Sequence, residues 1–227
     1  MHVFIIPDGN RRWAQENQKP FFAGHQAGIA AMENILSEAL RLPISHLTCW
    51  ALSLDNIKKR PKEEVEFLFS LLADYFRKLG DSKEVHEKEV RARAIGRWRQ
   101  FCPSELREAI EYCASRTENY IKLQLTILVA YSGIDEMVMA VNKIKRNALW
   151  NGIDSRCVKN YLWTRDLPDV DLMIRTGGEP HLSDGALMWL AANAHLYLTD
   201  TYWPGFTPEE FKRAVEEFMA RKRRYGG

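Results

Sequence analysis

The residues equipped for chemistry fall into short segments, each just after an apolar, β-rich run. The first, Pro7-Asp8-Gly9-Asn10-Arg11-Arg12-Trp13-Ala14, delivers a carboxylate, a glycine, an amide and two guanidinium groups. Asp oxygens suit Mg²⁺ and Arg suits phosphate, so this set at a strand end can hold a hard cation and an anionic ligand together. The same Asp-Gly-Asn run also suits a plain surface turn.

The second segment runs from Asp171 to Ser183, where a strand ends on Arg175 and opens into Gly177-Gly178. Successive glycine N–H groups can form an anion nest, with Arg175, Ser183 and His181 adding donors around a diphosphate. The alternative is a structural glycine turn with Arg175 in a salt bridge. The third, Ser53 to Pro61, offers a hydroxyl, the Asn56 amide and the cations Lys58, Lys59 and Arg60; by itself it also reads as a solvated charge run. Beyond it, residues 62–79 carry Val65, Phe67, Leu68, Phe69, Leu71, Leu72, Tyr75, Phe76 and Leu79, an arc wider than a surface helix needs. Such a helix either packs on both the sheet and a neighbour, or lends its second face to an apolar ligand tunnel. Taken together, the segments point to ligands with diphosphate heads and hydrocarbon tails.

These groups need a scaffold that brings strand ends together. Short apolar runs at 3–6, 46–52, 90–95, 123–130, 171–175 and 195–198 alternate with helical patterns at 26–40, 62–79, 104–115, 134–146, 155–163 and 208–223. That alternation predicts a mostly parallel six-stranded sheet flanked by helices, in one α/β domain spanning 1–227. The last helix is the best delimited, with Thr207 as N-cap, Pro208 at its first position and Glu210 closing a capping box. Residues 79–93, with eight charges from Asp81 to Arg93, leave open a helix end, a mobile connection or a dimer edge.

Composition narrows the function. Thirty-two Lys+Arg against 30 Asp+Glu leave a formal charge of +2, too little for a general nucleic-acid binder. The basic run Arg221-Lys222-Arg223-Arg224 better suits a diphosphate, a partner or water. Cys49, Cys102, Cys113 and Cys157 form no Cys-x-x-Cys pair and read as reduced thiols of a cytoplasmic protein. The apolar run 125–131 is far short of the roughly 20 residues a membrane span requires. No basic and apolar leader precedes the first strand, so no targeting segment is expected.

Nearly end to end, the chain resembles the cis-prenyltransferase family, which includes undecaprenyl diphosphate synthase and related Z-isoprenyl diphosphate synthases. The residues that carry the resemblance are 2–14, Gly24-His25-Gln26-Ala27-Gly28, 171–179, and Leu196-Tyr197-Leu198-Thr199-Asp200 followed by Trp203-Pro204. It implies a homodimer or related heterodimer, with a tunnel for the growing chain between the sheet and two helices in each subunit. It also implies Mg²⁺-assisted ionisation of an allylic diphosphate and attack by isopentenyl diphosphate. Asp8 matches the family's aspartate for Mg²⁺ and diphosphate. Gly9, Asn10, Arg11 and Arg12 match the allylic-diphosphate loop, with Asn10 and His25 as further catalytic candidates; a lone His also reads as structural, but the place of His25 beside the diphosphate loop favours the functional reading. Ser53, Asn56 and Arg60 match the loop after the second strand. Arg175, Gly177, Gly178, His181, Ser183 and the terminal Gly226 match the homoallylic-diphosphate site, and Trp13, Phe67, Leu68, Leu71 and Leu72 are assigned to the tunnel.

The departures from the family pattern cluster on the diphosphate sites. Phe21 replaces an arginine, His181 a second arginine, and His195 a glutamate that reaches across the dimer to Mg²⁺, which prefers oxygen, so that the metal site is altered and His195 stands as a candidate ligand beside Asp8. The loop from Asn56 to Pro61 is one residue longer than usual, and a one-residue gap falls within 185–193. The expected function is a prenyltransferase condensing an allylic isoprenoid diphosphate with isopentenyl diphosphate or a relative, with altered substrate use or regiochemistry. The rival is a weakly active or non-catalytic isoprenoid-binding partner subunit; keeping Asp8 through Trp13 favours the enzyme.

Overall fold

The computed structural model describes residues 1–147 and 152–221. Its strands are β1 (His2–Ile6), β2 (His46–Ser53), β3 (Val90–Ile95), β4 (Leu123–Tyr131), β5 (Leu172–Arg175) and β6 (His195–Leu198). They form one sheet in the order β3-β4-β2-β1-β5-β6, every neighbouring pair parallel. The helices are α1 (Asn10–Glu16), α2 (Phe21–Ala39), α3 (Leu54–Lys59), α4 (Lys62–Asp81), α5 (Lys83–Glu87), α6 (Trp98–Phe101), α7 (Ser104–Thr117), α8 (Gly133–Arg146), α9 (Ser155–Tyr161) and α10 (Pro208–Ala220).

Both faces of the sheet are covered, which is why its strands read as continuous apolar runs rather than as alternation. Side chains of β1 alternate between two cores. Val3 and Ile5 enter a large layer with α2, α4, α7 and α10, while Phe4 and Ile6 face a smaller one closed by Leu167, Val170, Leu187 and Leu190. The expected α/β architecture is thus present, with the strands within a residue or two of the expected bounds.

Three differences matter for the site. Helix α2 starts at Phe21 rather than at residue 26, although Gly24 and Gly28 weaken a helical pattern. Close packing explains them: a Cβ on Gly24 would lie 2.1 Å from the carbonyl oxygen of Asn10, and one on Gly28 would lie 2.4 Å from Asn10 Oδ1. The segments after β1 and β2, read as loops, run directly into α1 and α3. Residues 79–93 resolve into the end of α4, the short α5 and the start of β3.

Candidate active site

Strand β1 lies between β2 and β5, so the chain leaves β1 toward one side of the sheet and returns later to its other side. The carboxyl ends of strands at such a switch point are where open α/β sheets bind ligands. Asp8 and Arg175 stand there. The Thr176 hydroxyl accepts from Asp8 N at 2.9 Å and donates to Asp8 O at 2.8 Å, locking the two loops together. Asp8 then accepts Arg12 Nη2 on one carboxylate oxygen at 3.0 Å and Arg175 Nη2 on the other at 2.8 Å.

Arg175 is only 3% exposed. Its Nη1 donates to the His181 carbonyl and, at 2.9 Å, to Ser183 Oγ, whereas its Nε is buried without a partner. His181 itself is exposed, its ring 3.2 Å from Ser183 Oγ. Gly9 turns the chain into α1 at φ 101°, and a Cβ there would strike the Tyr202 ring at 2.5 Å. That ring lies 5.2 Å from the Arg12 guanidinium, a contact the sequence reading did not foresee.

The Gly177-Gly178 anion nest is corrected. Both residues have positive φ, but their N–H groups are spent on the carbonyls of Thr201 and Thr199, each at 2.9 Å. What glycine supplies is close approach, since a Cβ on Gly177 would lie 2.8 Å from Arg12 Nη2.

A second charged cluster centres on Glu64, a residue the sequence reading missed. Its carboxylate is 3% exposed yet accepts Arg60 Nη1 at 2.7 Å and faces His25 Nε2 at 3.2 Å, with Arg11 Nε at 3.9 Å. Burial lowers the His25 pKa and outweighs the hydrogen bond His25 makes to Glu64, which raises it; Arg60 lowers it further. His25 is therefore held neutral, with Nε2 protonated toward Glu64. Ser53 caps α3 by accepting from Asn56 N at 2.9 Å. Phe21 packs edge-on against Phe22, Phe67 and His25, so an aromatic cluster occupies its position.

Three cavities adjoin. One of about 380 Å³ is lined by Asp8, Gly9, Asn10, Arg11, Arg12 and Arg60, among others. Another of about 170 Å³ meets Asp8, Ser53, Asn56, Arg60, Arg175 and Ser183. The third, about 70 Å³, is apolar and runs between the sheet and the helices α2 and α4, past Ile29, Met32, Leu68, Leu71 and Leu72. Asn10 and His25 line all three, and Asn10 Oδ1 is buried without a partner. Trp13 and Phe67 do not line the apolar cavity. Trp13 lies 5.0 Å under Lys19 Nζ, and Phe67 joins the Phe21 cluster.

The site's fit to Mg²⁺ rests on Asp8, among the described residues the one carboxylate lining the two polar cavities. Mg²⁺ commonly takes one or two carboxylates together with substrate phosphates, so Asp8 fits as the protein's share. Among the described residues, no group of three or more His, Cys, Asp or Glu is placed to hold a metal. His195 opens β6 in register with Leu172, three positions before the pair of Arg175, and its ring packs on Phe218. It is not near Asp8 within the chain. Gly226 lies outside the described residues.

Residues 6–226 match the model of the family described as "Putative undecaprenyl diphosphate synthase". The chain belongs to the undecaprenyl diphosphate synthase family. This cis-prenyltransferase is 40% identical, over 99% of its length and 86% of the relative's, to a tritrans,polycis-undecaprenyl-diphosphate synthase (geranylgeranyl-diphosphate specific) of Pyrococcus abyssi. A counterpart from Sulfolobus acidocaldarius is 36% identical over 99% of this chain and 87% of the relative. The fold of this chain is similar to the crystal structure of lavandulyl diphosphate synthase from Lavandula x intermedia in complex with dimethylallyl diphosphate. The TM-score is 0.90 at 30% identity, with 100% of this chain and 98% of the other covered. The prenyltransferase is thus an enzyme of isoprenoid synthesis, and no helix among its described residues is long and apolar enough to cross a membrane.

Proposed function

We propose that the chain elongates an allylic isoprenoid diphosphate with isopentenyl diphosphate, releasing diphosphate. The observation that carries the proposal is the Asp8–Arg175 pair, set in polar cavities that meet an apolar one at Asn10 and His25. The head of the allylic substrate occupies the polar side and its hydrocarbon the apolar side, which widens into a tunnel when filled. The allylic C–O bond breaks with its electrons leaving on diphosphate. The double bond of isopentenyl diphosphate forms the new C–C bond, and a proton is then lost. Mg²⁺, held by Asp8 and phosphate oxygens, would supply positive charge to the leaving group.

Arg11, Arg12 and Arg60 surround the allylic diphosphate, with Ser53 and Asn56 at its edge. The unpartnered Arg175 Nε, with Ser183 and the His181 loop, receives the second diphosphate. The relatives' names support geranylgeranyl diphosphate as the allylic substrate. A second reading, joining with irregular regiochemistry, draws on Phe21: its aromatic cluster leaves the allylic pocket without a cation there. A second copy would pair along the exposed Leu196 and Leu198 of edge strand β6 and the exposed Ile134, Val138 and Val141 of α8, bringing His195 toward the partner's site. Residence in the cytoplasm belongs to the same reading and draws on its free cysteines.

Incubation of the purified chain with labelled isopentenyl diphosphate, geranylgeranyl or dimethylallyl diphosphate and Mg²⁺, followed by product analysis, tests the proposal. A prenyl product that disappears in Asp8→Ala supports it. A wild type inert alone but active with a second chain would replace it with the partner-subunit reading.

A further inference from the structure

Helices α2 and α4 run side by side in the same direction, and the groove between them holds two voids in succession. The first is the cavity of about 70 Å³ beside His25, Met32, Leu68 and Leu72. The second, about 240 Å³, lies farther along the same two helices, with Leu36, Leu40, Leu79 and Val85 on its apolar wall and Glu33, Ser37, Lys78 and Glu84 on its polar one. Tyr75 is the one residue common to the two linings. From His25 to Leu40 the groove extends roughly 22 Å at 1.5 Å per helical residue, and Tyr75 stands inside that span.

The Tyr75 side chain is 4% exposed, and its hydroxyl is buried with no hydrogen-bond partner. A buried hydroxyl without a partner carries a desolvation cost that phenylalanine would not. It also means that only packing fixes the ring, so the ring can turn without breaking a hydrogen bond. The mouth of the second void is bridged by polar contacts. Lys78 Nζ donates to both oxygens of Glu33 at 2.7 Å across the helix pair, and Ser37 donates to Glu84 at 3.0 Å.

Resting on the prenyl-elongation reading, we propose that the Tyr75 ring is the partition that ends the prenyl cavity and sets the length of the product. Behind it, the second void is spare volume that a longer chain enters once the ring is removed or turned aside. Shortening residue 75 joins the two voids into one channel along α2 and α4. Removing only the hydroxyl leaves the partition in place.

The test is product length from Tyr75→Ala and Tyr75→Phe, with Tyr75→Leu as the second truncation should the alanine variant fold poorly. The truncated variants are expected to give products longer than wild type by at least one isoprene unit. Tyr75→Phe keeps the wild-type length and unfolds at the same or a higher temperature. Wild-type product length from a folded truncation variant would overturn the assignment. Should the wild type make no product, elongation itself fails, and the partition is then judged by calorimetric binding of geranylgeranyl diphosphate and of a longer prenyl diphosphate. Truncation should favour the longer tail about tenfold or more relative to wild type; an unchanged preference would overturn it.

Discussion

Glu64 Oε1 lies 3.2 Å from His25 Nε2, joining α4 to α2, the two helices that line the apolar cavity. The carboxylate also accepts Arg60 at 2.7 Å, so one buried anion balances a guanidinium and orients an imidazole. His25 thereby presents a fixed tautomer at the junction of the polar and apolar cavities.

Glu64→Gln removes the charge but keeps a side chain of similar shape. Arg60 is then left partly buried without its counter-ion, which should cost roughly 2–3 kcal/mol of stability. Turnover should fall about tenfold or more, with His25 pushed still lower because the Arg60 charge is no longer offset. Thermal unfolding and the pH dependence of kcat together check this. Wild-type stability and an unshifted profile would remove Glu64 from the site's machinery.

His2 offers a pH signature independent of catalysis. Its Nδ1–H donates to the Pro168 carbonyl and its Nε2 accepts from Thr48, while burial lowers its pKa from 6.5 to about 4. A folded-state pKa below the unfolded one means that the stabilisation is present above pH 6.5 and is lost as pH falls toward 4. The loss should be about 3 kcal/mol. Urea unfolding across that range should show it in wild type and largely lack it in His2→Gln; parallel curves for the two proteins would contradict it.

Gly28 tests the position of Asn10. An added Cβ would lie 2.4 Å from Asn10 Oδ1 and 3.1 Å from Trp203 Cδ1. Gly28→Ala should therefore displace the Asn10 side chain, costing about 1–3 kcal/mol and slowing turnover more than it weakens diphosphate binding. A variant with wild-type kcat would show that the Asn10 amide is not needed where it stands.

The strand-end segments were legible because their signals are local: a carboxylate, glycine and arginines after an apolar run, and a Gly-Gly turn after another. The sheet was legible because its strands are apolar on both faces. Glu64 was hidden in Lys62-Glu63-Glu64-Val65-Glu66, which reads as a solvated helix start; its i,i+4 spacing from Arg60 was the one available sign. Helices α1 and α3, of seven and six residues, are too short to stand by pattern alone and depend on their packing. The glycine N–H groups at 177 and 178 were misread because their acceptors, the carbonyls of Thr201 and Thr199, are distant in sequence.

The most direct measurement is a crystal structure with a non-ionising thio analogue of geranylgeranyl diphosphate. The diphosphate should lie against Asp8, Arg11, Arg12 and Arg60, with the first isoprene passing between Asn10 and His25 and the tail running along Leu68 and Leu72 toward Tyr75. A diphosphate bound away from Asp8, or a tail lying outside the groove between α2 and α4, would contradict the account.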